Sequence, residues 1–127
     1  MPKRDLIVRL DDIDRMILKI ESMQKEISDF DQFSKSNTYQ LAFERAYEII
    51  GEALYQIRKD FETEGITDID KIISLRHLLA HDYFKVKHDL LWAFSIDFLP
   101  LLKSQIRNKI NEEKIRVFGS SDPKLDL

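Results

Sequence analysis

Apolar residues in the first segment of the chain recur every three or four positions, which is the spacing of one face of an α-helix. The positions that share this face are Leu6, Leu10, Ile13, Ile17, Ile20 and Ile27. Gln24 is the polar residue that interrupts the series. The pattern predicts a long amphipathic helix with this face buried.

A second amphipathic helix is predicted to begin at Asn37, after a mostly polar connection, and to run to about Glu62. Its expected buried face combines small and large apolar residues: Ala42, Ala46, Ile49, Ala53, Ile57 and Phe61. The alanines would let a neighbouring helix approach closely. Gly51, alone within this helix, is predicted to permit the same close packing, and Gly65 is expected to stop the helix.

Two more helices are predicted after Gly65. The first ends in the region of Tyr83, and the second begins near Asp89, beyond a short basic stretch. The second should kink at Pro100, which has no N–H to donate to the carbonyl of Ile96. The pattern therefore predicts an all-α protein.

The composition is that of a small globular protein. The 127 residues suffice for one domain, so residues 1–118 are expected to form a single helical domain, and residues 119–127, which lack periodicity, a flexible tail. The absence of cysteine excludes a disulfide framework and fits a reducing cytoplasm. Charged residues interrupt the apolar stretches, so we expect a cytoplasmic protein with neither a signal peptide nor a membrane span.

Overall charge says little about a partner, but local chemistry is concentrated in one segment. The net charge of −3 does not indicate a broad phosphate-binding surface, and DNA binding is not expected. His77, His81 and His88 lie within twelve consecutive positions. On a helix, His77 and His81 are about 40° apart and share a face. The long side chain of Arg76 can reach the same groove, which Tyr83 would also border.

This set of side chains can cleave a phosphodiester bond without a metal. Histidine exchanges protons near neutral pH, so it can accept the proton of an RNA 2′-hydroxyl or donate one to the leaving oxygen. Arg76 can stabilise the charge on the phosphorane oxygens. The acid and the base would be His77 and His81 of one subunit, or two copies of His81 across a symmetric dimer.

Two other interpretations of these residues stay open. His81 can simply cap the end of its helix, with Arg76 as a solvated surface cation. His77 and His81 can also be metal ligands, but a zinc helix of the H-E-x-x-H type needs a glutamate where Leu78 stands. We therefore expect neither a metal nor a cofactor.

Three glutamates follow one another at steps of four on the second predicted helix: Glu44, Glu48 and Glu52. Such a series is typical of a solvent-facing acidic stripe. Glu52 has a second possible role, because its carboxylate can orient Arg76 or a histidine if the two helices pack side by side.

The sequence RHLLAHDY at positions 76–83 resembles the R-x4-H-x-Y motif of HepT-type toxins of the HEPN class. The resemblance extends to AYEIIGEA at positions 46–53 and to LPLL at positions 99–102, so it covers most of the chain from the second helix onwards. HepT sequences commonly have asparagine after the arginine, where this chain has His77. The division of labour between His77 and His81 is therefore open.

The resemblance implies a fold and a set of catalytic roles. The fold would be a four-to-five-helix up-and-down bundle of HEPN type that forms a homodimer with two motifs in a shared cleft. The activity would be that of a metal-independent endoribonuclease acting on RNA, with tRNA as the expected class. Arg76 and His81 would be catalytic, supported by His77 or Glu52.

The resemblance also implies a partner and a mode of control. The chain would be the toxin of a type VII toxin–antitoxin system, paired with an MntA-like nucleotidyltransferase antitoxin. The antitoxin would transfer AMP to Tyr83, and the added phosphate would place negative charge against Arg76 and block RNA. Lys85 and Lys87, the basic flank of the motif, are candidate RNA contacts.

Two alternatives to the toxin hypothesis belong to other classes of function. The chain can be a non-catalytic HEPN subunit that binds a substrate for a nucleotidyltransferase or serves as its partner. It can also be a structural helical dimer module, which the combination of Arg76, His81 and Tyr83 disfavours.

Overall fold

The computed structural model describes residues 3–80 and 84–119, and all regular elements in these two ranges are helices. In chain order they are α1 (Lys3–Ile27), α2 (Phe30–Ser34), α3 (Asn37–Asp60), α4 (Ile69–Ala80), α5 (Phe84–Asp97) and α6 (Leu99–Phe118). The all-α prediction is confirmed, and the helices form an up-and-down bundle. No helix of the described ranges combines the length and the apolar character that a membrane crossing requires.

Helix α1 lies between α3 and α6 and contacts both. All six apolar positions of its predicted face are buried, with exposures of 4% or less. Gln24, which interrupts the face, donates a hydrogen bond from Nε2 to Ser95 Oγ at 2.6 Å, and this hydroxyl donates to the carbonyl of Trp92. The prediction for α1 is therefore confirmed, and the polar position has a partner.

The connection between α1 and α3 contains a short helix that the polar pattern did not predict. Asp29 caps α2 by accepting a hydrogen bond from the amide of Gln32. The ring of Phe33 is fully buried and packs against Phe43 of α3 and Trp92 of α5, with centroid distances of 4.6 and 5.2 Å. The side-chain amide of Gln40 also donates hydrogen bonds to the carbonyls of Phe33 and Ser34, so a buried ring and polar contacts together hold this five-residue helix on the core.

The predicted buried face of α3 is confirmed for half of its residues. The large side chains that are fully buried are Phe43, Tyr47, Ile50, Leu54 and Ile57. Of the predicted face, Ala46, Ala53 and Ile57 lie in the core, whereas Ala42, Ile49 and Phe61 are only partly buried. Because α3 contacts α1, α2, α4 and α5, its large apolar side chains fill the centre of the core, and the two buried alanines lie beside them.

The last predicted helix is two helices. Helix α5 already begins at Phe84 and ends at Asp97, and Phe98 interrupts the helical hydrogen bonding before α6 begins at Leu99. Pro100 lies in the first turn of α6. A proline is tolerated in the first turn because the amide there has no helical acceptor, so the expected kink becomes a helix start. This break and the short α2 explain why the described ranges hold six helices rather than four or five.

Helix α6 returns antiparallel to α1. Lys103 Nζ lies 2.8 Å from a carboxylate oxygen of Glu21, and Arg107 Nε lies 3.0 Å from Asp14. The helix ends at Gly119, whose φ of +77° is the left-handed conformation that favours glycine. Residues 120–127 of the predicted tail lie outside the described residues.

Candidate active site

Helices α3 and α4 pack antiparallel, and two ion pairs between described residues of the helices, Arg58–Asp70 and Arg76–Glu52, join them. Arg58 of α3 pairs with Asp70 near the start of α4. Arg76, near the end of α4, lies with Nη1 2.9 Å from Oε2 of Glu52. The side chains of Arg76 and Glu52 are 42% and 49% exposed, so their contact lies at the surface and is open to a ligand.

Gly51 lets the Arg76 side chain lie against α3. A Cβ atom at position 51 would stand 3.2 Å from both Cβ and Cδ of Arg76, closer than ordinary van der Waals contact. The close packing predicted for this glycine is therefore confirmed. Its consequence is that the stem of Arg76 crosses the backbone of α3 and delivers the guanidinium to Glu52.

The same two helices border an open groove of about 530 Å³. Its lining residues are Arg45, Glu48, Glu52 and Tyr55 of α3, and Ile73, Arg76 and His77 of α4. The four residues of α3 follow the spacing i, i+3, i+7, i+10, which is one face of a helix about 15 Å long. The groove therefore presents a linear series of side chains to solvent.

Charges within the groove are largely balanced. Arg45 Nη1 lies 3.4 Å from Oε2 of Glu48, so both groove arginines contact a glutamate of α3. A guanidinium carries five N–H groups, and one contact to a carboxylate leaves it able to donate to a phosphate. His77 also lines the groove and is exposed. The arrangement can bind an anion beside a group that exchanges protons.

The structure brings together three of the residues singled out from the sequence, Arg76, His77 and Glu52, at one groove. His81 and Tyr83 lie outside the described residues, as do the side chains of Lys85 and Lys87. His88, in α5, is partly buried and is not among the groove residues. Within the described ranges, no cluster of three or more histidines and carboxylates could hold a metal ion.

Arg45, Tyr55 and Ile73 are groove residues that the sequence reasoning missed. Arg45 and Tyr55 share the helical face of Glu48 and Glu52, but periodicity alone does not tell which exposed face of α3 borders a neighbouring helix. Ile73 lies one turn before Arg76 on α4 and carries no signal of its own.

Comparison with protein-family models matches residues 13–108 to the family described as "Ribonuclease HepT-like". The chain belongs to the ribonuclease HepT-like family. The matched residues include α3, α4 and the whole 76–83 motif, so the resemblance stated from the sequence is confirmed. For this HepT-like chain, membership supports ribonuclease activity.

Curated relatives of the HepT-like chain carry ribonuclease names. A protein of Methanocaldococcus jannaschii named "Putative RNase" is 32% identical over 108 residues, which cover 84% of this chain and 97% of the relative. A second protein with that name, from Caldanaerobacter subterraneus subsp. tengcongensis, is 33% identical over 67% of this chain and 77% of its own. A protein of Thermococcus cleftensis named "Probable ribonuclease HepT" is 35% identical over 76% of this chain and 87% of its own. No solved structure matches the chain significantly.

Proposed function

We propose that this HepT-like chain is a metal-independent endoribonuclease in which Arg76 and His81 carry out the reaction. The observation that supports the proposal is the Arg76 guanidinium, held by Glu52 at an open groove that His77 also lines. An arginine fixed by a carboxylate at the surface, rather than extended into solvent, is suited to bind a phosphate in a defined orientation.

The proposed reaction is an internal transfer at phosphorus. The RNA 2′-oxygen attacks the neighbouring phosphorus and gives its proton to a histidine base. The bond from phosphorus to the 5′-oxygen breaks, and a histidine acid protonates that oxygen, which leaves a 2′,3′-cyclic phosphate and a 5′-hydroxyl. Arg76 donates hydrogen bonds to the phosphorane oxygens, where negative charge increases in the transition state.

The acid and the base have two possible sources. One is His81 together with His77 of the same chain, and the other is a pair of His81 side chains in a homodimer. A His77→Ala variant distinguishes them, because only the first arrangement needs His77 as a proton-transfer group. Mixing His81→Ala and parent chains tests the second, since a mixed dimer would hold one of the two required histidines.

Incubation with a total tRNA pool in EDTA tests the activity, with products resolved on a denaturing gel. The parent chain should cleave, His81→Ala should not, and Arg76→Ala should be slower by about 10²- to 10³-fold, as for loss of one transition-state donor. Arg107→Ala is the matched control, because Arg107 pairs with Asp14 of α1 and is not among the groove residues. Full cleavage by His81→Ala would contradict the proposal.

We further propose that the chain is a toxin controlled by an MntA-like nucleotidyltransferase antitoxin. The Tyr83 hydroxyl would attack the α-phosphate of ATP, accept AMP and release pyrophosphate. Incubation with such a nucleotidyltransferase and ATP should add the mass of one AMP to the parent chain and stop tRNA cleavage. A Tyr83→Phe chain should gain no mass and keep cleaving, whereas its inhibition under the same conditions would contradict this mode of control.

A further inference from the structure

The groove between α3 and α4 has an apolar section directly beside the Arg76 guanidinium. The two interhelical ion pairs set the register, because Arg58 lies opposite Asp70 and Glu52 opposite Arg76. Midway between these pairs, Tyr55 stands opposite Ile73, and both line the groove. Tyr55 is 41% exposed, so an aromatic residue is accessible from the groove one turn away from Glu52.

A single nucleotide combines two groups that suit these two sections of the groove, because an aromatic base is joined through a sugar to a phosphate. Tyrosine rings stack on every nucleobase because each base has a π-face, and this contact does not depend on sequence. Arginine N–H groups bind phosphate oxygens. The apolar and the charged section of the groove are therefore matched to the base and the phosphate of one nucleotide.

The charge balance in the groove makes stacking important for affinity. Arg45 and Arg76 each contact a glutamate of α3, which lowers the attraction that the groove can exert on a polyanion. The chain as a whole carries a net charge of −3. A contact that does not depend on charge would add to the binding free energy that these partly neutralised arginines supply.

We infer that Tyr55 stacks on a base of single-stranded RNA next to the scissile phosphate, while Arg45, at the other end of the same face of α3, contacts a further backbone phosphate. This inference rests on the proposed ribonuclease function and adds two substrate-binding residues to it. Arg45 and Tyr55 lie about 15 Å apart along the helix axis, which is longer than the rise of one nucleotide in a stacked strand. The groove thus binds a short single-stranded segment rather than one nucleotide.

Binding of a short fluorescein-labelled 2′-O-methyl oligonucleotide, which lacks the attacking 2′-hydroxyl, tests the inference by fluorescence anisotropy. Tyr55→Ala should weaken binding about 5- to 150-fold, the range found for loss of one base-stacking contact. Tyr55→Phe should bind like the parent, because the ring remains. Tyr39→Ala is the matched control, since Tyr39 lies on the same helix near its start and contacts Glu26 instead of the groove.

An abasic version of the oligonucleotide separates stacking from a general structural effect. The parent and Tyr55→Ala should bind the abasic ligand equally, because it has no base to stack. A loss of affinity that is the same for the normal and the abasic ligand would overturn the stacking role, and so would unchanged binding by Tyr55→Ala.

Salt dependence tests Arg45. Two phosphate contacts on a single strand should give a slope of about −1.4 for log affinity against log salt concentration, and Arg45→Ala should reduce its magnitude by about 0.7. An unchanged slope would exclude the Arg45 contact.

Cleavage assays keep this inference distinct from the proposed function. If Tyr55 binds a base in both the ground state and the transition state, Tyr55→Ala should raise KM and leave kcat nearly unchanged. A parent chain that cleaves tRNA, with a Tyr55→Ala variant of equal KM, would overturn the stacking role alone. A parent chain that neither binds nor cleaves RNA would overturn the proposed function and this inference together.

Discussion

Helix α3 carries one tyrosine on its buried face and another on the face that borders the groove. Tyr47 is fully buried, and its hydroxyl donates a 2.8 Å hydrogen bond to the carbonyl of Leu91. Tyr55, about two turns later, is 41% exposed and lines the groove. One face of this helix thus holds the bundle together, whereas the other borders the groove, so we expect stability and activity to respond to different substitutions.

The largest expected effect on stability belongs to the buried face. Leu54 is 0% exposed, and Leu54→Ala should lower the free energy of unfolding by about 2–5 kcal/mol, because it removes apolar burial and leaves a cavity. Leu41→Ala on the same helix is the matched control, since Leu41 is 56% exposed and should change stability by less than about 0.5 kcal/mol. Urea denaturation followed by circular dichroism measures both.

Measuring tRNA cleavage by Leu54→Ala tests whether stability and activity are separable. At a temperature where Leu54→Ala is folded, its tRNA cleavage should equal that of the parent, because the groove lies on the other face of α3. Lost cleavage in a folded Leu54→Ala chain would show that the two faces are not separable.

An intermediate effect on the free energy of unfolding is expected from Tyr47 at high pH. Burial raises the pKa of the Tyr47 phenol above its ordinary value of about 10. In the unfolded chain the phenol ionises near pH 10, whereas in the folded chain it keeps its proton to higher pH. The folded state then binds more protons, so stability is full below about pH 10 and is lost as pH rises, by at most about 1.4 kcal/mol per pH unit.

Tyr47→Phe isolates this contribution. The variant should be less stable than the parent by about 0.5–1.5 kcal/mol at pH 8, because the hydrogen bond to Leu91 is lost. The difference should shrink between pH 9 and pH 11 in denaturation curves, since phenylalanine does not titrate. A difference that stays constant across this range would contradict the assignment.

The smallest effect is expected from a substitution of Glu52, which lies on the groove face of α3 and should change the cleavage rate more than the stability. Glu52→Gln removes the carboxylate charge that holds Arg76, and should slow tRNA cleavage about two- to fivefold with little change in stability, because an exposed ion pair contributes little. Glu44→Gln is the control on the same helix and lies outside the groove lining. Equal activity in the Glu44 and Glu52 variants would mean that Arg76 keeps its position without this contact.

The sequence predicted the buried face of α1 completely, because six branched apolar residues of similar size follow one another on it at helical spacing. It was only half right for α3, where apolar residues occur on several sides and the alanines matched a helical period as well as the aromatic residues did. The choice between these faces depends on which helices surround α3, and periodicity carries no such information. The short α2 was missed because individual contacts stabilise it, namely the buried ring of Phe33 and the hydrogen bonds from Gln40, rather than a repeating pattern.

The part of the candidate site that lies in or beside the sequence motif was predicted from the sequence. Arg76, His77 and Glu52 were named from the sequence, and the structure brings them to one groove. Arg45 and Tyr55 were not named, because an exposed residue on a helix acquires a role only when the position of the facing helix is known. The antiparallel register of α3 and α4 supplies that position.

The antiparallel pairing of α1 with α6 has a consequence for how the protein is made. The Asp14–Arg107 contact joins residues 93 positions apart, whereas the Arg58–Asp70 contact joins residues 12 positions apart. Contacts that close short loops cost less chain entropy and form sooner, so we expect the α3–α4 hairpin to fold early and the α1–α6 pairing to fold last. During synthesis, the side of α1 that packs on α6 stays uncovered until α6 leaves the ribosome, and we expect the nascent chain to be most prone to aggregate before that point.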